Sequence, residues 1–189
     1  MLKKDFISTI IPCFARFVSR DVRKQIFKVP SAKRTPEYKA LYNRIMELPE
    51  KYVIDAFSDI IISVNDKIVA EKIKSQKGTI LFVEYGNVKL DDDGYGIQQA
   101  DISITVASGF SETNSDMITE ALIMERNFTI LDKILTTLRD ESNSVEWDNP
   151  LMRQIEFPAT IYTVESNNFY GNIGWIAMFK RQDHDEEES

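Results

Sequence analysis

The stretch ILFVEYGNVKLDDDGYGIQQADISITVA, from Ile80 to Ala107, decides the fold class. Its first six residues are β-branched, aromatic or otherwise apolar apart from Glu84, which is typical of a strand. Its last part alternates, with Ile102, Ile104 and Val106 on one side and Asp101, Ser103 and Thr105 on the other. Such alternation is typical of an antiparallel strand with one buried face. Because the turn signal Asp93-Gly94 lies between the two runs, the stretch predicts two antiparallel strands.

Downstream of these strands, the sequence predicts a long helix and then two further strands. The helix covers about 117–139, with Asn114 or Ser115 as its expected N-cap. Apolar residues recur in it at spacings of three and four, at Ala121, Met124, Phe128, Leu131, Leu135 and Leu138. The strands are expected at 155–165 and 173–180. The second has apolar side chains on both faces, which predicts either a central position in the sheet or an interface.

Upstream of Ile80, the pattern is less regular. Residues 1–35 are interpreted as a helical arm that breaks near Pro12 and ends at Val29-Pro30-Ser31. A second helix is expected to begin at Pro36. Residues 52–73 fit two alternatives, a hairpin that turns at Asn65-Asp66 or a helix with apolar residues at spacings of three and four.

These elements predict an α+β domain, in which a mostly antiparallel sheet carries the long amphipathic helix on one face. We expect three regions: a basic N-terminal helical arm at 1–35, the α+β domain at 36–181 and an acidic tail at 182–189. Charge divides along the chain in the same way. Residues 1–40 hold ten Lys or Arg and three acids, whereas the other 149 residues hold 13 bases and 27 acids. A basic segment on an acidic body favours binding to a negative partner, although a solvated helix face would show the same pattern.

The inventory of reactive residues argues against an enzyme. The one histidine, His184, lies in the acidic tail, and the one cysteine, Cys13, has no histidine near it in sequence. A Ser-His-Asp or Cys-His arrangement is therefore not expected, and a zinc site of Cys and His is excluded by number. Neither GxxxxGK[ST] nor GxGxxG occurs. We expect no metal, no cofactor and, since no apolar run approaches the length of a membrane span, no membrane partner.

The region from Ile80 to about Asp183 resembles bacteriophage tail-terminator and tail-completion proteins, especially those of phages and prophages of gut Bacteroidetes. The resemblance rests on ILFVEYGNVK, the tip DDDGYGIQQ, the strand ADISITVAS, the helix segment NFTILDKILTTL and the closing strand IAMFKRQD. It extends further if PEYKALYNRIMEL is the family's first helix. The N-terminal 35 residues, the segment 49–79 and the acidic tail depart from the family pattern. They would suit a neck or tail ring protein of a short-tailed phage, including the crAss-like kind.

The resemblance implies a non-catalytic virion protein that is made in the cytoplasm of the bacterial host. Its copies would form a closed six-fold or twelve-fold ring in the neck or tail, in contact with portal, neck or tail proteins. DNA would pass through the ring without sequence recognition. Ring contacts of this kind join two different faces of neighbouring subunits. The inter-subunit candidates are the basic segment and the two-faced strand, namely Arg16, Arg20, Arg23, Lys24, Lys28, Trp175 and Phe179. The alternative is a non-catalytic cytosolic adaptor or binding module that stays monomeric or dimeric.

Overall fold

The computed structural model describes residues 6–75, 78–90, 97–111, 113, 115–142 and 156–180. This part of the chain contains five strands and five α-helices. The helices are α1 (Phe6–Ala15), α2 (Arg20–Lys24), α3 (Pro36–Met46), α4 (Asp66–Ser75) and α5 (Met117–Ser142). The strands are β1 (Phe57–Ile62), β2 (Thr79–Leu90), β3 (Ile97–Gly109), β4 (Glu156–Val164) and β5 (Asn172–Lys180).

The strands form one sheet in the order β1-β2-β3-β5-β4, in which only the β1–β2 pair is parallel. The predicted α+β class, with a mostly antiparallel sheet and a long helix against it, is therefore confirmed. β5 lies between β3 and β4; one of its apolar faces, with Ala177 and Phe179, joins the main core, whereas Met178 on the other face is 48% exposed. Gly174 of β5 pairs with Ala107 of β3. A Cβ atom at Gly174 would collide with the carbonyl oxygen of Val106, so only glycine fits there.

The two faces of the sheet support different layers. Alternate residues of β2 show this: Leu81 and Val83 join the main core with α1 and α5, whereas Ile80 and Phe82 join a smaller core under α4. The main core also receives the segment after α1, through Phe17 and Val18. α4 therefore covers one face at the β1–β2 end, and α1 and α5 cover the other.

The N-terminal segment is helical, as predicted, but it does not stand apart from the α+β domain as an arm. Ile10, Phe14, Phe17 and Val18 are buried and belong to the main core. α1 also continues through Pro12 and ends at Ala15. The apolar side of this segment is matched to the sheet rather than to a neighbouring molecule. Residues 6–35 are therefore not a detachable region, because they supply one wall of the core.

The ambiguous segment 52–73 contains neither the hairpin nor the single helix. It holds β1, which pairs in parallel with β2, and most of α4, which connects the two strands. Asn65 does not make a hairpin turn. Its Oδ1 accepts hydrogen bonds from the backbone N–H groups of Lys67 (3.1 Å) and Ile68 (3.2 Å), so Asn65 caps α4. Asparagine is common both in hairpin turns and at helix N-caps, so Asn65 alone did not distinguish the two structures.

The long helix begins and ends close to the predicted positions. Its cap, however, is Asp116, whose Oδ1 accepts a hydrogen bond from the Thr119 N–H at 2.8 Å. This interaction lowers the pKa of Asp116, because the hydrogen bond favours the carboxylate. The predicted cap at Asn114 or Ser115 is thus displaced by one or two residues. Asp116 also places negative charge where the helix dipole favours it.

Arg23 joins three backbone segments in the interior. Its side chain is fully buried, and its Nε donates to the carbonyl oxygens of Ala15 and Val18, both at 3.0 Å. Its Nη1 donates to the Leu48 carbonyl at 2.8 Å and lies 3.0 Å from Oε1 of Glu50. The end of α1, the turn after it and the turn after α3 are therefore held by one guanidinium. Burial lowers the pKa of Arg23.

We expect Arg23→Met to lower the free energy of unfolding by about 2–4 kcal/mol, because buried carbonyls lose their donors. The matched control is Arg20→Met, at an exposed position on the same short helix. It should change stability by less than about 0.5 kcal/mol. Urea unfolding followed by circular dichroism measures both values. Equal midpoints for the two variants would contradict the structural role of Arg23.

Candidate functional site

Three of the seven predicted interface residues lie inside the subunit. Arg16, Arg23 and Phe179 are buried. Each side chain already has a partner within the subunit. Arg16 pairs with Glu141, Arg23 binds backbone carbonyls, and Phe179 packs edge-on against Phe157 with ring centroids 5.5 Å apart. The prediction is therefore corrected for these three residues, because they have no surface to offer a neighbour. For Arg20, Lys24 and Lys28, which are exposed, it stays a prediction.

The Arg16–Glu141 pair connects the end of α1 to the end of α5. Nη1 of Arg16 lies 2.7 Å from Oε1 of Glu141, and Nη2 lies 2.5 Å from Oε2. The guanidinium also lies 5.0 Å from the ring centroid of Tyr52. Burial raises the pKa of the neighbouring Cys13 thiol to about 11, Arg16 opposes that rise and Glu141 adds to it. The bidentate pair is a structural link that sequence reasoning missed, because its partners are far apart in the chain.

Trp175, the remaining candidate, holds α5 on the sheet. Its Nε1 donates to the Met124 carbonyl at 2.8 Å, and its ring meets Phe128 edge-on with centroids 5.2 Å apart. It is half-buried, and its strand already has β3 on one side and β4 on the other. With both sides paired, this strand cannot add a neighbour's strand to the sheet. Trp175 instead fixes the direction in which the first turns of α5 point.

Both edges of the sheet are poorly suited to pairing with another strand. On β1, the side chain of Gln25 donates to the Ser58 carbonyl (3.3 Å) and Lys72 donates to the Ile60 carbonyl (3.4 Å). β4, at the other edge, contains Pro158, which has no backbone N–H. Charged side chains and proline are common devices that keep edges from pairing. Contact through helices is therefore favoured over sheet extension.

The beginning of α5 exposes three large apolar side chains. Met117, Ile118 and Leu122 are 83%, 68% and 61% exposed, respectively. The buried residues of α5 begin only at Asn127, where the helix meets the sheet. Exposed acids, Asp116, Glu120 and Glu125, lie among these apolar residues. We call Asp116–Glu125 the α5 start. Sequence reasoning missed it, although Ile118 and Leu122 lie off the predicted packing stripe, which was the available signal.

The region that carries Lys28 forms a second surface, in which bases surround aromatic rings. Phe27 meets Tyr38 and Tyr42 edge-on, with centroids 5.7 and 4.9 Å apart. Arg34 stacks over Tyr42 at 4.3 Å, and its Nε donates to the Val29 carbonyl at 2.9 Å. All three rings are half-buried. We call residues 27–42 the basic surface; its exposed members include Lys28, Val29, Lys33 and Lys39.

An open cleft of about 830 Å³ separates residues 51–56 from the middle of α5. Its charged lining has both signs: Lys51, Arg126 and Lys133 against Asp55 and Asp132. Arg126 also donates to the Ser108 hydroxyl at 3.1 Å, within a buried network that includes Thr79 and Asn127. Because the charges have both signs, the lining favours neither an anionic nor a cationic ligand. Within the described ranges, no group of His, Cys, Asp or Glu could hold a metal ion.

Two further properties of the chain bear on its function. In the part of the chain that the structure describes, every helix is too short or too polar to cross a membrane. The chain matches no protein-family model, no curated protein and no solved structure. His184, Trp147, the Asp93-Gly94 turn and the acidic tail at 182–189 lie outside the described residues. The α5 start and the basic surface are therefore the features on which a function can be argued.

We expect Glu141→Gln to lower the free energy of unfolding by about 3 kcal/mol, because it leaves the buried Arg16 charge without a counter-ion. The double variant Arg16→Met, Glu141→Leu should recover most of that loss, since it removes both charges. Asp140→Asn, at the exposed neighbouring position, is the control. Chemical unfolding of the four proteins gives the values. A double variant as unstable as Glu141→Gln would contradict this account of the pair.

Cys13 predicts a loss of stability at alkaline pH. Its pKa in the folded chain is about 11, above the ordinary value of 9.0. Its contribution to stability is therefore complete below pH 9 and is lost as the pH rises toward 11, because the unfolded chain ionises first. Between pH 8 and pH 10, the wild type should lose about 1 kcal/mol more than Cys13→Ala. Parallel pH profiles of unfolding for the two proteins would contradict the burial of the thiol.

Proposed function

We propose that this chain is a non-catalytic structural subunit that assembles with copies of itself into a closed ring in the neck or tail of a bacteriophage. The observation that carries the proposal is the exposed apolar surface of the α5 start, with Met117, Ile118 and Leu122 all more than half exposed. A contiguous apolar surface of this kind on a protein marks a contact with another macromolecule. The fold supplies it at the end of a rigid helix that Trp175 anchors.

The energy available at this surface suits assembly. Full burial of a Leu, Ile or Met side chain contributes about 1.5–3 kcal/mol, so three such residues can form the centre of a stable interface. They stand on successive turns of one helix, which needs little ordering when a partner arrives. The surface thus resembles the apolar anchor of a protein–protein contact more closely than a ligand pocket.

A ring requires two different surfaces on each subunit, and the chain has two. The α5 start is apolar and acidic, whereas the basic surface is cationic and aromatic. Contacts between unlike surfaces generate closed rings or open helices, whereas a contact between like surfaces stops at a dimer. The strand, strand, long helix, strand, strand order of residues 79–180, on which the resemblance to tail-terminator proteins rests, is also present.

Within this proposal, the ring is six-fold or twelve-fold and sits between portal and tail in the virion. DNA passes through its centre without sequence recognition. The net charge of −7 supports passage rather than binding, because an acidic protein repels the phosphate backbone. Portal, neck or tail proteins would contact the flat ends of the ring.

Native mass spectrometry tests the proposal. The wild type should give a six-fold or twelve-fold species at low and at moderate salt. Ile118→Asp with Leu122→Asp should give only monomers, because two charges replace the apolar centre. Lys133→Glu, at an exposed position later on the same helix, is the control and should keep the ring.

The outcomes separate the two functions. If the double aspartate variant still forms a ring, the α5 start does not form the contact between subunits. A wild type that stays monomeric or dimeric at every concentration would contradict the ring, and it would favour the alternative of an adaptor or binding module. Negative-stain microscopy of the assembled species then shows whether a central channel is wide enough for duplex DNA.

A further inference from the structure

We infer that the α5 start of one subunit docks on the basic surface of a second copy of this chain, with Val29 and Tyr38 against its apolar residues. The inference rests on the proposed ring and says which two surfaces form its repeating contact. It commits to one occupant for the exposed helix, namely residues 27–42 of the neighbouring copy.

Charge complementarity is the first argument. The α5 start, residues 116–125, holds three acids and no base, whereas the basic surface, residues 27–42, holds four bases and one acid. In the described structure, Asp116, Glu120 and Glu125 are exposed on the α5 start. On the other side, the exposed bases are Lys28, Lys33 and Lys39. Opposite charges around an apolar centre steer association and fix the register of a contact.

The match of apolar groups is the second argument. Among the bases, Val29 is 37% exposed and the rings of Tyr38 and Tyr42 are half-buried. These groups are held in place, because the Val29 N–H donates to the Tyr38 hydroxyl at 3.4 Å and Arg34 stacks over Tyr42. Because these rings are already held in place, they can contact Ile118 and Leu122 of a neighbour with little loss of side-chain entropy. Met117, which is flexible, can fill the remaining gaps.

Position in the fold is the third argument. α5 packs on β5 and β3, whereas α2 packs on β1 and α3 packs on α1 and α2. Because β1 is one edge of the sheet and β5 lies next to the other edge, the two surfaces belong to elements that pack toward different edges of the sheet. The α5 start and the basic surface are therefore two distinct surfaces of a subunit. Repetition of such a contact proceeds from subunit to subunit and closes when the rotation allows it.

Disulfide cross-linking tests the contact directly. The double variant Leu122→Cys, Val29→Cys should form covalent oligomers under mild oxidation, and the largest closed species should give the number of subunits in the ring. Each single cysteine variant should remain uncross-linked. The native Cys13 adds no background, because it is buried and its raised pKa keeps it protonated. Lys133→Cys with Val29→Cys is the control pair and should give no oligomers.

A charge-swap experiment tests specificity on the same background. Reversal of Lys28 and Lys33 to Glu should slow cross-linking by about tenfold. Reversal of Glu120 and Glu125 to Lys should do the same. All four changes together should restore most of the rate, because the charges again complement each other.

Each outcome bears on the contact. Cross-linking of Leu122→Cys alone would mean that two α5 starts meet each other, which overturns the inference. A native ring in which the cysteine pair does not cross-link would also overturn it, while the proposed function would stand. If the wild type forms no native oligomer, both the inferred contact and the proposed ring are contradicted. If the basic surface binds DNA instead, the pair does not cross-link, and Lys28→Glu with Lys33→Glu abolishes a shift of duplex DNA in a gel.

Discussion

Burial of the N-terminal segment against the sheet is the constraint on which the rest of this structure depends. α5 packs on β3 and β5, so the β1–β2 side of the main core needs another cover, and α1 with residues 17–18 provides it. That placement takes Arg16 and Arg23 into the interior. Two buried cations are expensive unless each is paired and hydrogen-bonded. Glu141 pairs with Arg16, and backbone carbonyls with Glu50 bind Arg23. The ends of α1 and α5 are thereby held together.

The same arrangement leaves the other end of α5 uncovered by the part of the chain that the structure describes. The helix is tied at its C-terminal end by Glu141 and near its middle by Asn127, whose side chain bonds Ser108 and the Ile173 carbonyl. Its first turns extend beyond Asn127, the first buried position, and Trp175 anchors them through the Met124 carbonyl. A rigid helix with a tied end and an apolar free end suits contact with a partner. Its exposure thus follows from how the helix is attached.

Strands β2, β3 and β5 could be predicted because the alternation of apolar and polar residues and an Asp-Gly turn signal are local features of the sequence. The α+β class followed from these strands. The placement of the N-terminal segment could not be predicted, because an amphipathic helix has the same pattern whether it covers its own core or a neighbour. Charge was equally ambiguous: Arg16 and Arg20 are alike in sequence, yet one has Glu141 as a partner 125 positions away and the other faces solvent. β1 and α4 were missed because Asn65 serves as a helix cap as readily as a turn.

The division of the basic residues between interior and surface also limits what electrostatics can do in assembly. Arg16 and Arg23 are used within the subunit, and Lys24 pairs with Asp21 at 2.7 Å. On the basic surface, the exposed bases left for a partner are lysines, whose pairs with carboxylates are worth little individually and are screened by salt. Apolar side chains at the α5 start must therefore supply most of the affinity. Added salt would then slow assembly more than it weakens the assembled contact.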